Sequence, residues 1–434
     1  MAENVTTGEP PGGRWMIVVI GLIIQLCLGA VYAYGALRTP ILTHFKTDLG
    51  LNPSPLEMTW PFIIFLGVFA ITMPLAGPYI QKMGPKKVCM IGGALCGLGW
   101  FAASWATSPY MLIPLYAIIG GLGVGIAYGV PIACSAQWFP DKRGLAVGLT
   151  VLGFGFSSAL ISYAYLFLKP MYPIMTILKI FGIVFFIVTI ACSLYLRFPP
   201  AGWKPAGWTP PAPKPGAAAR VDFMRNEMTQ TGTFKGLWLC YTIGALAGLT
   251  AIGIVGPVGN EVMKNAGMTT EAAGGLVFML ILPFAICNGI GRPIFGTLTD
   301  KLTPKNAAML SYVIIIAACL LMYLSYSSTT VFAISFAMLW LSLGGWLAIA
   351  PTATASYFGM KDNAKNYGLV FTAYGAGAII GGIVAALMAV NIKPVAGATT
   401  LEAYRPFFLL VAALAAVGIV VAYMMLKPPV KKAA

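Results

Sequence analysis

Apolar runs of membrane-crossing length, broken by short stretches of Gly, Pro and charge, follow one another along the whole chain. A helix needs about 20 apolar residues to cross a hydrocarbon core. The pattern predicts spans at 16–37, 58–81, 88–106, 110–136, 144–168, 172–197, 235–258, 271–298, 307–327, 330–356, 366–390 and 404–426. These are twelve transmembrane helices, and the fold class is an all-α polytopic membrane protein. The longest polar stretch, Phe198 to Phe234, contains Pro-Pro-Ala-Gly-Trp-Lys-Pro and Pro-Pro-Ala-Pro-Lys-Pro, which favour extended backbone and a linker. It predicts a six-helix bundle at 1–200, a cytoplasmic linker at 201–234 and a second six-helix bundle at 235–434.

Composition agrees with that class. The 434 residues are 59% hydrophobic and 9% charged, where soluble domains carry about 25% charge. The net charge of +15 reports orientation and not nucleic-acid binding. Loops on one side, with both termini, hold 19 of the 27 Lys and Arg residues. By the positive-inside rule that side is cytoplasmic, so the expectation is a multi-pass protein of the cell (inner) membrane with both termini inside. About six basic residues, among them Arg38, Lys46 and Lys393, fall in the outer connections. Lys179 is read as snorkelling from the outer end of span 6, and His44 as an exposed loop residue. Met1 to Gly13 lacks the basic start and cleavage site of a signal peptide, so the first span is expected to be retained. The eight cysteines sit in or beside apolar runs without metal spacing. No metal, cofactor, nucleophile–base set or nucleotide motif is legible, which argues against an enzyme or an ATP-driven pump.

The halves repeat. Gly77-Pro-Tyr-Ile-Gln-Lys-Met-Gly-Pro-Lys86 follows span 2, and Gly296-Thr-Leu-Thr-Asp-Lys-Leu-Thr-Pro-Lys305 follows span 8, 219 residues on. The same offset lays Trp138-Phe139 on Tyr357-Phe358. A duplicated six-plus-six arrangement suits a carrier whose halves rock about a central site. Arg292 is the charge in the wrong solvent: no other ionisable side chain lies between Gly274 and Thr299. An arginine deep in a membrane helix costs about 2.5–3.5 kcal/mol on insertion scales and usually faces a functional cavity. Its planar fork matches a carboxylate. Asn288 lies one turn before it on the same face. The Asn288-Gly-Ile-Gly-Arg-Pro run is expected to bend or thin the helix. None of the twelve carboxylates lies deep, so a substrate anion is left as the partner of Arg292, and one central cation favours a monoanion. Tyr32, Tyr128, Trp346, Phe371 and Tyr374 are candidates to line the cavity, with Leu149 and Phe154 as an apolar wall.

The loop after span 8, with Gly296 and Asp300, resembles the signature of the major facilitator superfamily. The copy after span 2, with Gly77 and Gly84, has Gln81 where the acid belongs. Trp138-Phe-Pro-Asp-Lys-Arg-Gly-Leu-Ala-Val-Gly148, with Arg143 in its basic pair, resembles the monocarboxylate transporter signature and also the oxalate:formate antiporter branch. Gly12-Gly-Arg-Trp15 is similar to the second monocarboxylate signature, without its leading acid. The resemblance implies that Arg292 binds the substrate carboxylate. It implies a functional monomer in the bilayer that carries a small organic monocarboxylate, lactate- or pyruvate-like, by symport with protons. The alternative is a carboxylate exchanger of the oxalate:formate type. Two departures bear on this. Tyr374 stands where the exchangers carry a second cation, and Asn288 where animal symporters carry an aspartate.

Overall fold

In a computed structural model the residues described are 13–200, 202–205, 207, 222–359, 362–391 and 402–430, and among them there is helix and no strand. Twelve long helices follow one another: α1 (Trp15–Thr47), α2 (Trp60–Met83), α3 (Pro85–Ala103), α4 (Ile113–Trp138), α5 (Arg143–Leu168), α6 (Ile174–Ser193), α7 (Gly232–Asn265), α8 (Thr270–Leu302), α9 (Pro304–Leu324), α10 (Thr329–Phe358), α11 (Asn363–Asn391) and α12 (Arg405–Met425). All but α3 are apolar enough over their length to count as spans by composition alone; α3 opens on Lys86 and Lys87, which lower its average. The protein is an integral membrane protein. An even number of crossings puts both chain ends on one face, termed here the terminal face. The other is the far face.

Local chemistry sets the helix ends. Thr231, Thr269 and Ser328 cap α7, α8 and α10, each accepting from the backbone N–H three residues on. The largest difference from the predicted spans is at α1, which continues to Thr47 through a short tightened segment, Gly29–Ala33, and past Pro40. The polar residues that seemed to end it are helical, and Arg38 is buried in it. Arg38 is therefore not a loop cation.

Packing carries the repeat. Helix pairs α1·α5, α2·α4, α3·α4 and α3·α6 pack together in the first half. Their images six helices on, α7·α11, α8·α10, α9·α10 and α9·α12, pack in the second. Between halves, α5·α8 and α2·α11 are images of one another, and α1 meets α7 on the axis. The ends correspond too. Trp138 Nε1 donates to the Arg197 carbonyl beyond α6, and Tyr357 Oη donates to the Leu426 carbonyl beyond α12. Gly84, closing α2, has φ 81° and ψ 156°; Thr303, closing α8 at the 219-residue offset, has φ 88° and ψ 152°. Only glycine adopts that region without strain.

At the far face the halves are tied where α1 crosses α7. A Cβ on Gly35 would collide with the Ile252 carbonyl, and Asn260 Nδ2 donates to Thr39 Oγ1 at 3.2 Å. Tyr165 of α5 stacks on Phe278 of α8. At the terminal face Arg14 holds Asp141, beyond α4, through two bonds of 2.6 and 2.9 Å, and lies over the Phe139 ring. These bonds hold the Asp141 carboxyl below the usual carboxylate range.

Candidate functional site

α8 runs unbroken through Pro283 and Pro293. The glycines beside Arg292 therefore thin the helix and do not break it. A side chain on Gly291 would meet the Leu341 carbonyl of α10, and one on Gly289 would meet Phe156 of α5. The thin face lets α8 settle against both neighbours. The result is that Asn288 and Arg292 are buried where the halves meet.

Arg292 is 4% exposed. Its Nη1 donates to the Val151 carbonyl of α5 at 2.5 Å, across the halves, and Nη2 reaches Asn288 Oδ1 at 3.4 Å. Asn288 Nδ2 donates in turn to the Trp340 carbonyl of α10 at 3.2 Å, which fixes the amide with its oxygen toward the arginine. Nε of Arg292 is buried without a hydrogen-bond partner. Among the described residues no carboxylate forms an ion pair with Arg292, and none is in the buried set. A buried guanidinium held by two carbonyl-type oxygens, with the Tyr128 hydroxyl beside it, keeps most of its charge uncompensated, and that is costly without an anion.

Aromatic side chains from both halves enclose this charge. Tyr32 and Tyr374 share a hydroxyl–hydroxyl bond of 2.7 Å across the halves. Phe154 lies edge-on to Tyr32 and Tyr128, at 5.1 and 5.2 Å between centroids. Phe371 stacks on Tyr374, one turn along α11, at 4.9 Å and 14°, and on Tyr128 at 6.0 Å. Tyr32 and Tyr128 are near enough to Arg292 to interact electrostatically. Each such ring pair contributes about 0.5–1.5 kcal/mol beyond burial. The set is a stiff, weakly polar wall that brings the Tyr32 and Tyr128 hydroxyls near the cation.

Of the candidates read from the sequence, Asn288, Tyr32, Tyr128, Phe154, Phe371 and Tyr374 come together near Arg292. Trp346 stands behind them, stacked on Tyr241 at 5.9 Å and beside Tyr312. Leu149 is half-buried on α5 and makes none of these contacts. The signature read as a loop begins inside a helix: Gly77 lies in the last turns of α2 and faces open space, and Gly84 closes α2. Asp300 likewise lies in the last turn of α8, where it is exposed and forms no ion pair among the described residues. Arg143 opens α5, and its side chain lies outside the described residues.

Three residues were missed. Phe69 of α2 contacts Tyr128, Phe371 and Tyr374. Tyr241 of α7 lies against Phe371 and Tyr374, and Tyr367 of α11 against Phe371. A signal for Phe69 was present: it is the 219-residue counterpart of Asn288.

The pattern of the Major Facilitator Superfamily matches residues 25–280 and 237–434. The chain is 26% identical over 404 residues to the oxalate:formate antiporter of Oxalobacter formigenes, covering 90% of this chain and 89% of that one. It is 23% identical over 453 residues to the apicoplast pyruvate carrier 1 of Toxoplasma gondii, covering 82% and 81%. Over 152 residues, 35% of this chain and 29% of the other, it is 29% identical to human monocarboxylate transporter 14. Among solved structures, a bacterial homolog of the human lysosomal transporter Spinster superposes with a TM-score of 0.69 at 16% identity, covering 96% of this chain and 98% of that one. With twelve helices in two pseudo-symmetric halves and both halves matched, the chain belongs to the Major Facilitator Superfamily and is a membrane transporter, not an enzyme.

Proposed function

We propose that the protein is a secondary active carrier of small monocarboxylates, lactate- or pyruvate-like, working by alternating access, with Arg292 binding the carboxylate and protons moving with it. One observation carries the reading: a buried guanidinium between the halves, without a carboxylate partner among the described residues and walled by aromatic rings and tyrosine hydroxyls. A carboxylate can replace the Val151 carbonyl at the fork, gaining two charge-assisted bonds for one. Tyr32 and Tyr128 hydroxyls then suit a substrate 2-oxygen, and the rings suit a short apolar tail. Relatives named for oxalate, formate, pyruvate and monocarboxylates support a carboxylate substrate. In this reading residues 201–234 link two rocking bundles, the terminal face is cytoplasmic, the membrane is the cell (inner) membrane, and a monomer suffices.

The test is uptake of labelled lactate into proteoliposomes. Arg292→Gln should abolish it while the protein remains folded, and Arg292→Lys should recover little, because an ammonium lacks the planar fork. Wild-type uptake by a well-expressed Arg292→Gln protein would refute the assignment. A second reading, carboxylate exchange, is favoured by the similarity to the oxalate:formate antiporter over most of the chain. The tyrosine at position 374 weighs against a dianion, because it leaves one central cation.

A further inference from the structure

Gln25 of α1 is fully buried, yet only half of its amide is used. Its Nε2 donates to the Tyr128 carbonyl of α4 at 3.0 Å, and its Oε1 is buried without a hydrogen-bond partner. The acceptor fixes this orientation, because the reversed amide would set oxygen against oxygen. Tyr128 is where two regular stretches of α4, Ile119–Ala127 and Gly129–Trp138, meet. Pro131 lies just beyond; it has no N–H for the Ala127 carbonyl, and its ring crowds that carbonyl. Tyr128 opens the second stretch, so the helix itself pairs its carbonyl and the bond from Gln25 is an addition. A leucine in place of Gln25 would fill similar space and leave no orphan oxygen. Packing alone therefore does not call for an amide at this position.

α1 is shaped to hold this junction. A Cβ on Gly21, one turn before Gln25, would come within 3.2 Å of Pro131. One on Gly29, one turn after, would collide with the Phe154 backbone of α5. Ser157 of α5 donates to the Leu26 carbonyl beside Gln25. The same stretch of α1 thus grips the junction in α4 and the turn of α5 that carries Phe154. The junction aims a side chain of the site. The Tyr128 hydroxyl is beside Arg292, and its ring packs against Phe69, Phe154 and Phe371. Those rings set its tilt, and the pinned backbone sets its reach.

Resting on the carboxylate reading above, we propose that Gln25 is a positioning residue: by holding the Tyr128 carbonyl it places the Tyr128 hydroxyl on a substrate's 2-oxygen, and so selects 2-hydroxy and 2-oxo acids over plain short-chain acids. It touches no substrate itself. Arg292 grips the carboxylate of either kind of acid, and only the 2-oxygen depends on where Tyr128 stands. A site built to bond a substrate oxygen rejects the analogue that lacks it, because its own polar group is then left unpaired.

The experiment is uptake of tracer labelled lactate into proteoliposomes, in competition with unlabelled lactate and with propionate, the same acid without the 2-hydroxyl. Gln25→Leu should raise the lactate concentration for half-inhibition about fivefold or more and leave that of propionate within about twofold. Gln25→Met should do the same, and it carries the test if the leucine variant does not fold. Tyr128→Phe should also lose the preference for lactate, and adding Gln25→Leu to it should change the ratio no further, since both act through one hydroxyl. An unchanged ratio in the folded Gln25 variants, equal weakening of both acids, or additive losses in the double variant would overturn the positioning role alone. Absence of lactate uptake by wild type would overturn the carboxylate reading and this role with it.

Discussion

Under the proposed function, Tyr374 is where a single side chain would separate two substrate classes. Its hydroxyl is bonded to Tyr32 and its ring lies on Phe371, within the wall around Arg292. Tyr374→Lys would place an ammonium there and should raise inhibition of lactate uptake by oxalate about tenfold or more, because a dianion would then meet two cations. Unchanged oxalate inhibition in a folded variant would remove Tyr374 from the cavity. At this scale the sequence was informative wherever a residue broke its surroundings. Arg292 stood out because nothing else in its span ionises. The Val151 carbonyl that holds it could not be read, since every residue has a carbonyl and only packing selects one. Arg38 was misplaced for a related reason. Hydropathy ends a span at the first polar cluster, whereas a helix ends only when its backbone does, and here neighbouring elements bury the polar turn.

At the scale of elements, the closing turns of α2 and α8 share one backbone shape with different residues, Gly84 and Thr303. A β-branched residue at φ 88° is strained by about 1–3 kcal/mol. Its hydroxyl recovers part of this by accepting from the Asn306 N–H. Thr303→Gly should therefore stabilise the protein by about 1 kcal/mol, read as a higher melting temperature in detergent. A lower one would mean that the cap outweighs the strain. At the other terminal-face loop, the Arg14–Asp141 pair joins the start of α1 to the α4–α5 connection. Because Asp141 is held below its ordinary value, its contribution is present above about pH 3.9 and is lost as the pH falls further. Asp141→Asn should cost about 1 kcal/mol or less at pH 7. Its deficit in melting temperature should shrink on acidification toward pH 3, and a constant deficit would show that charge is not what joins the segments.

For the whole molecule the prediction concerns coupling. The position of the usual deep aspartate holds Asn288, an amide that cannot titrate. Symport then requires the proton to travel with the substrate and arginine, or through groups at the far face such as the His44–Asp48 pair. An inward acid gradient should drive lactate accumulation in vesicles without internal anion. Accumulation that ignores the gradient and needs a preloaded carboxylate would establish exchange instead. The packing of the halves has one more consequence. Contacts α5·α8 and α2·α11 are images of one another, as the two sides of an isologous dimer interface would be. Under that symmetry the counterpart of Arg292 is Met73 and that of Asn288 is Phe69. Two identical subunits that each bore such an arginine would face each other with paired cations, a seat for a doubly charged guest. With the copies joined in one gene each half can vary alone, and under the proposed function the lone arginine of the pair, at 292 and not at 73, would match a guest of single charge.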